Sequence, residues 1–354
     1  MKPFVKLIAL LIALMLLAAC GKTENAPVAE ATPDASATQA AEALPSDVPE
    51  DELVVATPQS TEAPSLPPTL PPTPEPVETP VPTEAPTPEP SGLIDWEKGG
   101  FVPREETKQE ELSYKSDNLN ITITKYEDNK KTFSDLAVYF VADIYIRDIE
   151  CLRTAASNSF TSHRNNQTVR KIAEREHAIL AISGDYFGHN NHSLVIRNGM
   201  TYDLKTRSDF TDLCFLYKDG TMETMTVDEY DASTIRPDVW QAWQFGPSLL
   251  DKEGHAIQEY PGSQINRWNP RCAIGYIEPG HYIFVTVDGR QDHYSRGLWL
   301  YELAQLMESL GCKVAYNLDG GETAVMYWNG GVLNRPYNGG REISDIVYLI
   351  DKQN

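Results

Sequence analysis

Hydrophobic and polar positions divide the chain into three stretches with different periodicities. Leu7–Ala19 is an unbroken apolar run preceded by Lys2 and Lys6. From Gly21 to about Gly92 no apolar period survives, and Pro, Thr, Glu and Ala recur instead, as in Pro71-Pro72-Thr73-Pro74-Glu75-Pro76. Beyond Gly92, apolar residues return with the alternation of strands and the three-to-four spacing of helices. Asn120–Lys125 alternates as a strand, and Leu136–Ile146 is a long apolar strand. Thr168–His177 carries Val169, Ile172 and Ala173 at helical spacing, and Ala178–Ser183 reads as a buried strand ending at Gly184. Asn198-Gly199 and Asp219-Gly220 predict hairpin turns between strand-like runs. Arg271–Tyr276 and Tyr282–Val287 predict a hairpin through Pro279-Gly280. A helix is expected over Leu298–Leu310, its stripe formed by Leu298, Leu303, Leu306, Met307 and Leu310, with Gly311 as its stop. Val314–Leu318, a hairpin about Asn329-Gly330-Gly331 and a closing strand over Asp345–Ile350 complete the pattern. Hairpins outnumber strand–helix–strand units. The expected class is α+β: a large mixed or antiparallel sheet, a few flanking helices, and catalytic loops at strand ends.

The opening run is too short for a membrane-spanning helix and has the form of a secretory signal. It ends in Leu17-Ala18-Ala19-Cys20-Gly21, which resembles a bacterial lipobox, so residues 1–19 read as a lipoprotein signal peptide and Cys20 as the lipidated residue. An ordinary cleaved signal is the alternative. Residues 20–92 read as a tether. Of the 25 prolines in the chain, 17 lie between Pro27 and Pro90, and Gly21–Gly92 holds 13 acids against one lysine. Such a segment buries too little apolar surface to offset the entropy of ordering. Together these features place the folded part on the extracellular face of a bacterial membrane, lipid-anchored. Residues 93–160 are the N-terminal part of the folded region or an accessory subdomain, and 161–354 the main domain.

Charge removes one class of partner. The net charge is −21, and residues 93–354 still carry 38 acids against 27 bases, so a broad nucleic-acid-binding face is excluded. Cys151, Cys214, Cys272 and Cys312 show no CxxC and no Cys/His zinc spacing, and are expected as free thiols.

Candidate chemistry lies where apolar runs stop at an acid beside glycine: Ser183-Gly184-Asp185-Tyr186-Phe187, Val287-Asp288-Gly289-Arg290, and Asn317-Leu318-Asp319-Gly320-Gly321-Glu322-Thr323. Residues at strand exits are held by the sheet yet reachable at its rim. Gathered together, Asp185, Asp288 and Asp319 would form an acidic cleft, with Arg271, Arg290 and Arg341 supplying the opposite charge. Three acids are compatible with Ca²⁺ or Mg²⁺, although no spacing demands a cation, and no other cofactor is implied. His189 and His192 follow the first block and read either as a polar loop or, with an Asp, as metal ligands. His293 is a candidate proton shuttle. Tyr186, Trp240, Trp243, Trp268 and Tyr294 are candidates for stacking on a ligand or for core packing.

These blocks resemble the phosphodiester glycosidase family. The resemblance runs in order through Gly184-Asp185-Tyr186-Phe187, Phe245-Gly246-Pro247-Ser248-Leu249, Arg271-Cys272-Ala273-Ile274-Gly275, Val287-Asp288-Gly289-Arg290, Asn317-Leu318-Asp319-Gly320-Gly321 and Gly340-Arg341, from about Leu180 to Ile350. Three positions depart from the family pattern: Glu322 and Thr323 stand where a further glycine and a serine are common, and Ser183 where an asparagine is. The resemblance implies hydrolysis of the bond between a sugar anomeric carbon and a phosphodiester oxygen.

The chemistry itself asks for particular groups. A phosphate monoester leaves with little protonation, so one acid of the usual glycosidase pair becomes less essential. The departing anion suits guanidinium, and the sugar needs a carboxylate as nucleophile or as base for water. Asp319 is therefore expected as the principal carboxylate and Asp288 as a second acid/base or orienting group. Arg271, Arg290 and Arg341 are the expected phosphate binders. Asn317 would hydrogen-bond a sugar hydroxyl or the water, Asp185 would contact the sugar or stand behind it, and Gly320 and Gly321 would offer N–H groups to phosphate. The expected substrate is a glycosyl phosphodiester, such as a wall glycopolymer or exopolysaccharide. A catalytically inactive glycan-binding lipoprotein on the same fold, its site crowded by Glu322, and a metal-dependent hydrolase using the three acids are the competing readings.

Overall fold

The computed structural model describes residues 92–352 apart from 130–135, 162–166, 190–192, 262 and 264. The signal segment, the tether with Cys20, and His192 lie outside the described residues.

Three antiparallel sheets form the body. The largest has seven strands, in the order Lys108–Gln109, Ser113–Lys115, Leu119–Asn129, Leu136–Ile146, His281–Val287, Arg271–Glu278 and Val314–Leu318. A second runs Met222–Thr226, Asp212–Tyr217, Val239–Gln244, Val195–Arg197 and Met200–Asp203. The third runs Gly331–Val332, Met326–Trp328, Leu180–Ser183, Asp345–Leu349 and Leu152–Ala156. This is the expected α+β class with a large antiparallel sheet; the other apolar runs form two further sheets, because hairpin signals fix local pairs and not which sheet each pair joins. The strands between Lys108 and Asn129 and the strand Leu136–Ile146 belong to the same sheet as Arg271–Glu278 and His281–Val287, joined by the pairing of Leu136–Ile146 with His281–Val287.

The run Leu136–Ile146 is apolar at nearly every position because most of both its faces is covered, the exception being Asp143, which pairs with His281 at the strand's far end. Val138, Phe140, Ala142, Ile144 and Ile146 pack into the main core with Cys272, Ile274, Phe284, Tyr316 and Leu318. Ala137 and Val141 point the other way, with Ala273, Ile283, Val285 and Val287. That second face is closed by the helix Leu300–Ser309, which buries Leu300, Leu303, Ala304 and Met307. Burial of each leucine contributes roughly 1.5–3 kcal/mol. The approach is close: a Cβ on Gly275 would lie 2.5 Å from Cys312 Sγ and 2.6 Å from Met307 Cε. The helix starts where Glu302 accepts from the Trp299 N–H at 2.9 Å. A shorter helix, Val169–Arg175, is capped by Thr168 and buries Val169, Ile172 and Ala173.

The four expected hairpins form, with Asn198, Gly199, Gly220, Gly280, Asn329 and Gly330 in left-handed backbone. The four cysteines are buried as free thiols. Among the described residues no helix is long and apolar enough to cross a membrane.

One register decides where the chemistry falls. Leu318 pairs with Cys272, Cys272 with Thr286, and Thr286 with Phe140, so the strands ending at Leu318 and Val287 stop at the same end of the large sheet. Asp319 and Asp288 thus emerge together, two strands and about 10 Å of backbone apart. The third sheet meets this end through the Asp319 N–H, which donates to Gly184 O at 2.9 Å.

Candidate functional site

Asp319 follows the last residue of a central strand and is buried, its side chain only 9% exposed. Its Oδ2 accepts from Arg341 Nη2 at 3.2 Å. Burial pushes the carboxyl up to about 7, against the pull of the Arg341 guanidinium and the Thr323 hydroxyl; the Asp185 carboxylate adds to the rise, and the Gly320 N–H opposes it. The result is a carboxyl poised between its acid and carboxylate forms near neutral pH, beside a cation. The Arg341 guanidinium lies 5.5 Å from the Tyr186 ring centroid, and a third of the arginine side chain remains exposed.

Asp288 is also buried but differently occupied. Oδ1 accepts from Asn334 Nδ2 at 2.8 Å and the Arg335 N–H at 3.1 Å, and Oδ2 from the Tyr294 hydroxyl at 2.9 Å and the same N–H at 3.1 Å. Burial raises its pKa, opposed by these donors. With both oxygens taken, Asp288 fastens the Asn334-Arg335 turn and Tyr294 to the sheet end. Of the two roles expected of it, this geometry suits the orienting one.

The three arginines part company. Arg290, in left-handed backbone at φ 57, is exposed, and donates from Nε and Nη2 to Asn269 Oδ1 at 3.1 and 2.7 Å. Its guanidinium lies against Gly321, where a Cβ would approach Nη2 to 3.3 Å, and 5.6 Å from the Tyr337 ring centroid. Arg271 departs from expectation. It is 3% exposed and gives hydrogen bonds to the carbonyls of Leu298 (3.0 Å), Ile265 (2.7 Å) and Arg267 (2.6 Å). Burial and the neighbouring Arg290 push it down to about 9, still cationic at neutral pH. Its Nε and Nη2 donors go to the Leu298 carbonyl and the 265–267 loop, whereas Arg341 reaches Asp319 and Arg290 lies against Gly321.

The double glycine also differs from the expected anion nest. The Gly321 N–H donates to Pro270 O at 3.0 Å, and the Gly320 N–H serves the Asp319 carboxyl. These glycines are needed for close approach: a Cβ on Gly320 would lie 2.7 Å from Pro270 O, and Gly321 holds φ 64. Glu322 turns outward, its Oε1 accepting from Asn338 Nδ2 at 2.7 Å. Asn317 donates from Nδ2 to Gly246 O at 2.7 Å, while its buried Oδ1 has no partner among the described residues.

Asp185 is not at the surface of the site. Its side chain is fully buried and accepts from Arg197 Nη2 at 2.7 Å; the same guanidinium donates from Nε to Asp345 Oδ2 at 2.9 Å. Burial raises the Asp345 carboxyl, with Asp185 adding to the rise and Arg197 opposing it. One cation serves two carboxylates there. Gly184 makes room: a Cβ would lie 2.0 Å from Asp345 Oδ1. Sequence reasoning missed Arg197, and it met Asp345 only as part of the family-like block Ser344-Asp345-Ile346, with no role. Arg197 sits in an apolar strand, Val195–Arg197, and that single buried charge was the available signal. Trp240 and Trp243 are core residues, whereas Trp268 is 47% exposed. Among the described residues, no group of three or more His, Cys, Asp and Glu side chains is arranged to hold a metal ion. The shared-ligand arrangement of Asp185, Asp288 and Asp319 is thus not formed: the first is committed to Arg197, the second to the Asn334-Arg335 turn.

Comparisons with known proteins bear on the family and the fold. The model of the family described as phosphodiester glycosidase matches residues 176–350. The SPbeta prophage-derived uncharacterized protein YomE of Bacillus subtilis (strain 168) is 29% identical over 189 residues, 52% of this chain; the chain spans only 29% of that relative's length. The fold resembles the zebrafish N-acetylglucosamine-1-phosphodiester alpha-N-acetylglucosaminidase catalytic domain, auto-inhibited by its pro-peptide, with a TM-score of 0.53 and 19% identity over 70% of this chain and 88% of that one. A hypothetical protein from Synechocystis aligns with a TM-score of 0.43 and 14% identity over 66% of this chain and 62% of that one. Through residues 176–350, the chain belongs to the phosphodiester glycosidase family.

Proposed function

We propose that this protein hydrolyses the bond between a sugar anomeric carbon and a phosphodiester oxygen, at the outer face of a bacterial membrane, with wall or exopolysaccharide glycopolymers as substrates. One observation carries the reading: a buried carboxyl, Asp319, ion-paired with Arg341 at 3.2 Å, at the sheet end where Arg290 is laid against Gly321. Arg341 and Arg290 receive the phosphate oxygens, each able to offer two parallel N–H donors. Asp319 acts as its carboxylate, as nucleophile on the anomeric carbon or as base for the attacking water. In the overall reaction the C1–O bond breaks, its electron pair leaves with the phosphate monoester, and water supplies the sugar hydroxyl. Asp288 holds Tyr294 and the Asn334-Arg335 turn in place. The unpartnered Oδ1 of Asn317 is a hydrogen-bond acceptor for a sugar hydroxyl or the water. The Leu17–Gly21 lipobox and the proline-rich tether support membrane attachment through Cys20.

The test is incubation of the protein with a panel of glycosyl phosphodiesters, with and without chelator. Release of reducing sugar insensitive to chelator, lost in Asp319→Asn with the fold retained, is the expected outcome. Saturable binding without release would replace the hydrolase reading with a glycan-binding one. Chelator-sensitive release would favour metal chemistry.

A further inference from the structure

Beside the Arg290 site lies an aromatic surface that the chemistry above does not use. Trp268 is 47% exposed, although a tryptophan ring is costly to leave in water. Its ring is nonetheless tightly placed. Trp299 meets it edge-on, centroids 5.7 Å apart at 74°, and the Arg296 guanidinium sits 4.8 Å from its centroid. Arg296 is in turn paired with Glu302 at 2.8 Å. The loop beneath is fixed by the Arg271 hydrogen bonds to Ile265 and Arg267, and by Asn269 Nδ2 donating to Arg267 O at 3.2 Å.

Two further features mark this surface as built for a ligand. Two buried polar atoms at its border, Asn266 Oδ1 and Arg296 Nε, have no hydrogen-bond partner among the described residues, a state that buried polar groups rarely keep. The surroundings are also cationic within an acidic domain: Arg267, exposed, precedes Trp268, Arg296 lies over its ring, and Arg290 is held by the next residue, Asn269. The surface adjoins the candidate site directly. Asn269 holds Arg290, and Pro270 O accepts from Gly321, so at most about 7 Å of chain separates Trp268 from the backbone packed on the Asp319 loop.

We propose that Trp268, with Trp299 and Arg267, forms a second saccharide subsite, gripping the neighbouring sugar of an anionic, phosphodiester-linked glycan whose scissile unit lies at Arg290 and Asp319. Trp268 stacks on the apolar face of that sugar, and Arg267 meets a phosphate of the chain. A rigid aromatic loses little freedom on binding, so a preorganised platform adds affinity at small entropic cost. The substrate class is therefore a polymer or oligomer, in preference to a single sugar carrying a small phosphodiester. This deepens the hydrolase reading and rests on it.

The experiment uses the full chain in detergent and two probes: the methyl phosphodiester of N-acetylglucosamine-1-phosphate, and a phosphodiester-linked N-acetylglucosamine tetramer. Tetramer binding is read by isothermal titration calorimetry in the Asp319→Asn background, and sugar release in the otherwise unaltered protein. Trp268→Ala should weaken tetramer binding about tenfold, equivalent to about 1.4 kcal/mol, and leave release from the single-unit probe within about twofold. Trp268→Phe should recover most of the binding, and Arg267→Gln should weaken it and flatten its salt dependence. Equal effects of Trp268→Ala on both probes, or none on the tetramer, would overturn the subsite. The two readings fail separately: tetramer binding that depends on Trp268 without any sugar release keeps the subsite and removes the hydrolase, whereas release from both probes indifferent to Trp268 does the reverse.

Discussion

Replacing Asp319 by asparagine should abolish activity and, at alkaline pH, make the protein more stable. Folding holds the Asp319 proton up to about pH 7, whereas the unfolded chain releases it near the ordinary carboxylate value of 3.8. Between those values the folded state binds more protons than the unfolded one, so stability falls as pH rises. The sign is that of a raised carboxyl: the contribution is fully present below about pH 4 and lost once pH passes about 7. A difference of about three pH units corresponds to about 4 kcal/mol as an upper bound. Asparagine never ionises and escapes that loss, and the attraction to Arg341 is already contained in the folded-state value of about 7. Asp319→Asn should therefore raise stability by about 2–4 kcal/mol at pH 8 and by only about 1 kcal/mol at pH 4.5. Urea unfolding of both proteins at the two pH values measures this, with unchanged m-values certifying a comparable transition. A variant equally or less stable at pH 8, or one whose advantage is the same at both pH values, would refute the claim that Asp319 is held in a desolvated, proton-retaining setting.

Other residues give independent checks. Arg341 lowers the Asp319 pKa, so Arg341→Gln should reduce kcat/KM and move the acidic limb of the pH–rate profile upward; a limb that stays in place would separate the two groups. Gly321→Ala places a side chain at φ 64 and 3.3 Å from Arg290 Nη2, and should destabilise by about 1–2 kcal/mol while raising KM for the phosphodiester, as read by melting and steady-state kinetics. Arg197→Met leaves two buried carboxylates without their cation and should cost about 3–5 kcal/mol at pH 8 in urea unfolding, with partial recovery at low pH as they protonate.

Much of this architecture is legible in the sequence because its signals are local. The strand Leu136–Ile146 is bounded by its own apolar run, and Asn198-Gly199 dictates its turn through backbone sterics alone. The gathering of Asp319 and Asp288 at one sheet end follows from two strand exits whose registers coincide. What the sequence withholds is where a charged side chain sends its hydrogen bonds. Arg271 looks like a phosphate binder from its neighbours along the chain, but it lies beside loop carbonyls that take its donors. Asp185 looks like a rim acid until Arg197 and Asp345, 12 and 160 residues away, close over it. The distribution of strands among three sheets is equally non-local, set by which apolar faces find one another.

The most direct test of the central claim is hydrolysis of a glycosyl phosphodiester in ¹⁸O-labelled water, with mass analysis of both products. Attack at the anomeric carbon, with Asp319 working on the sugar and the arginines on the departing phosphate, predicts label in the sugar hydroxyl and none in the phosphate monoester. Label in the phosphate would mean that the P–O bond is cleaved, and would contradict the account.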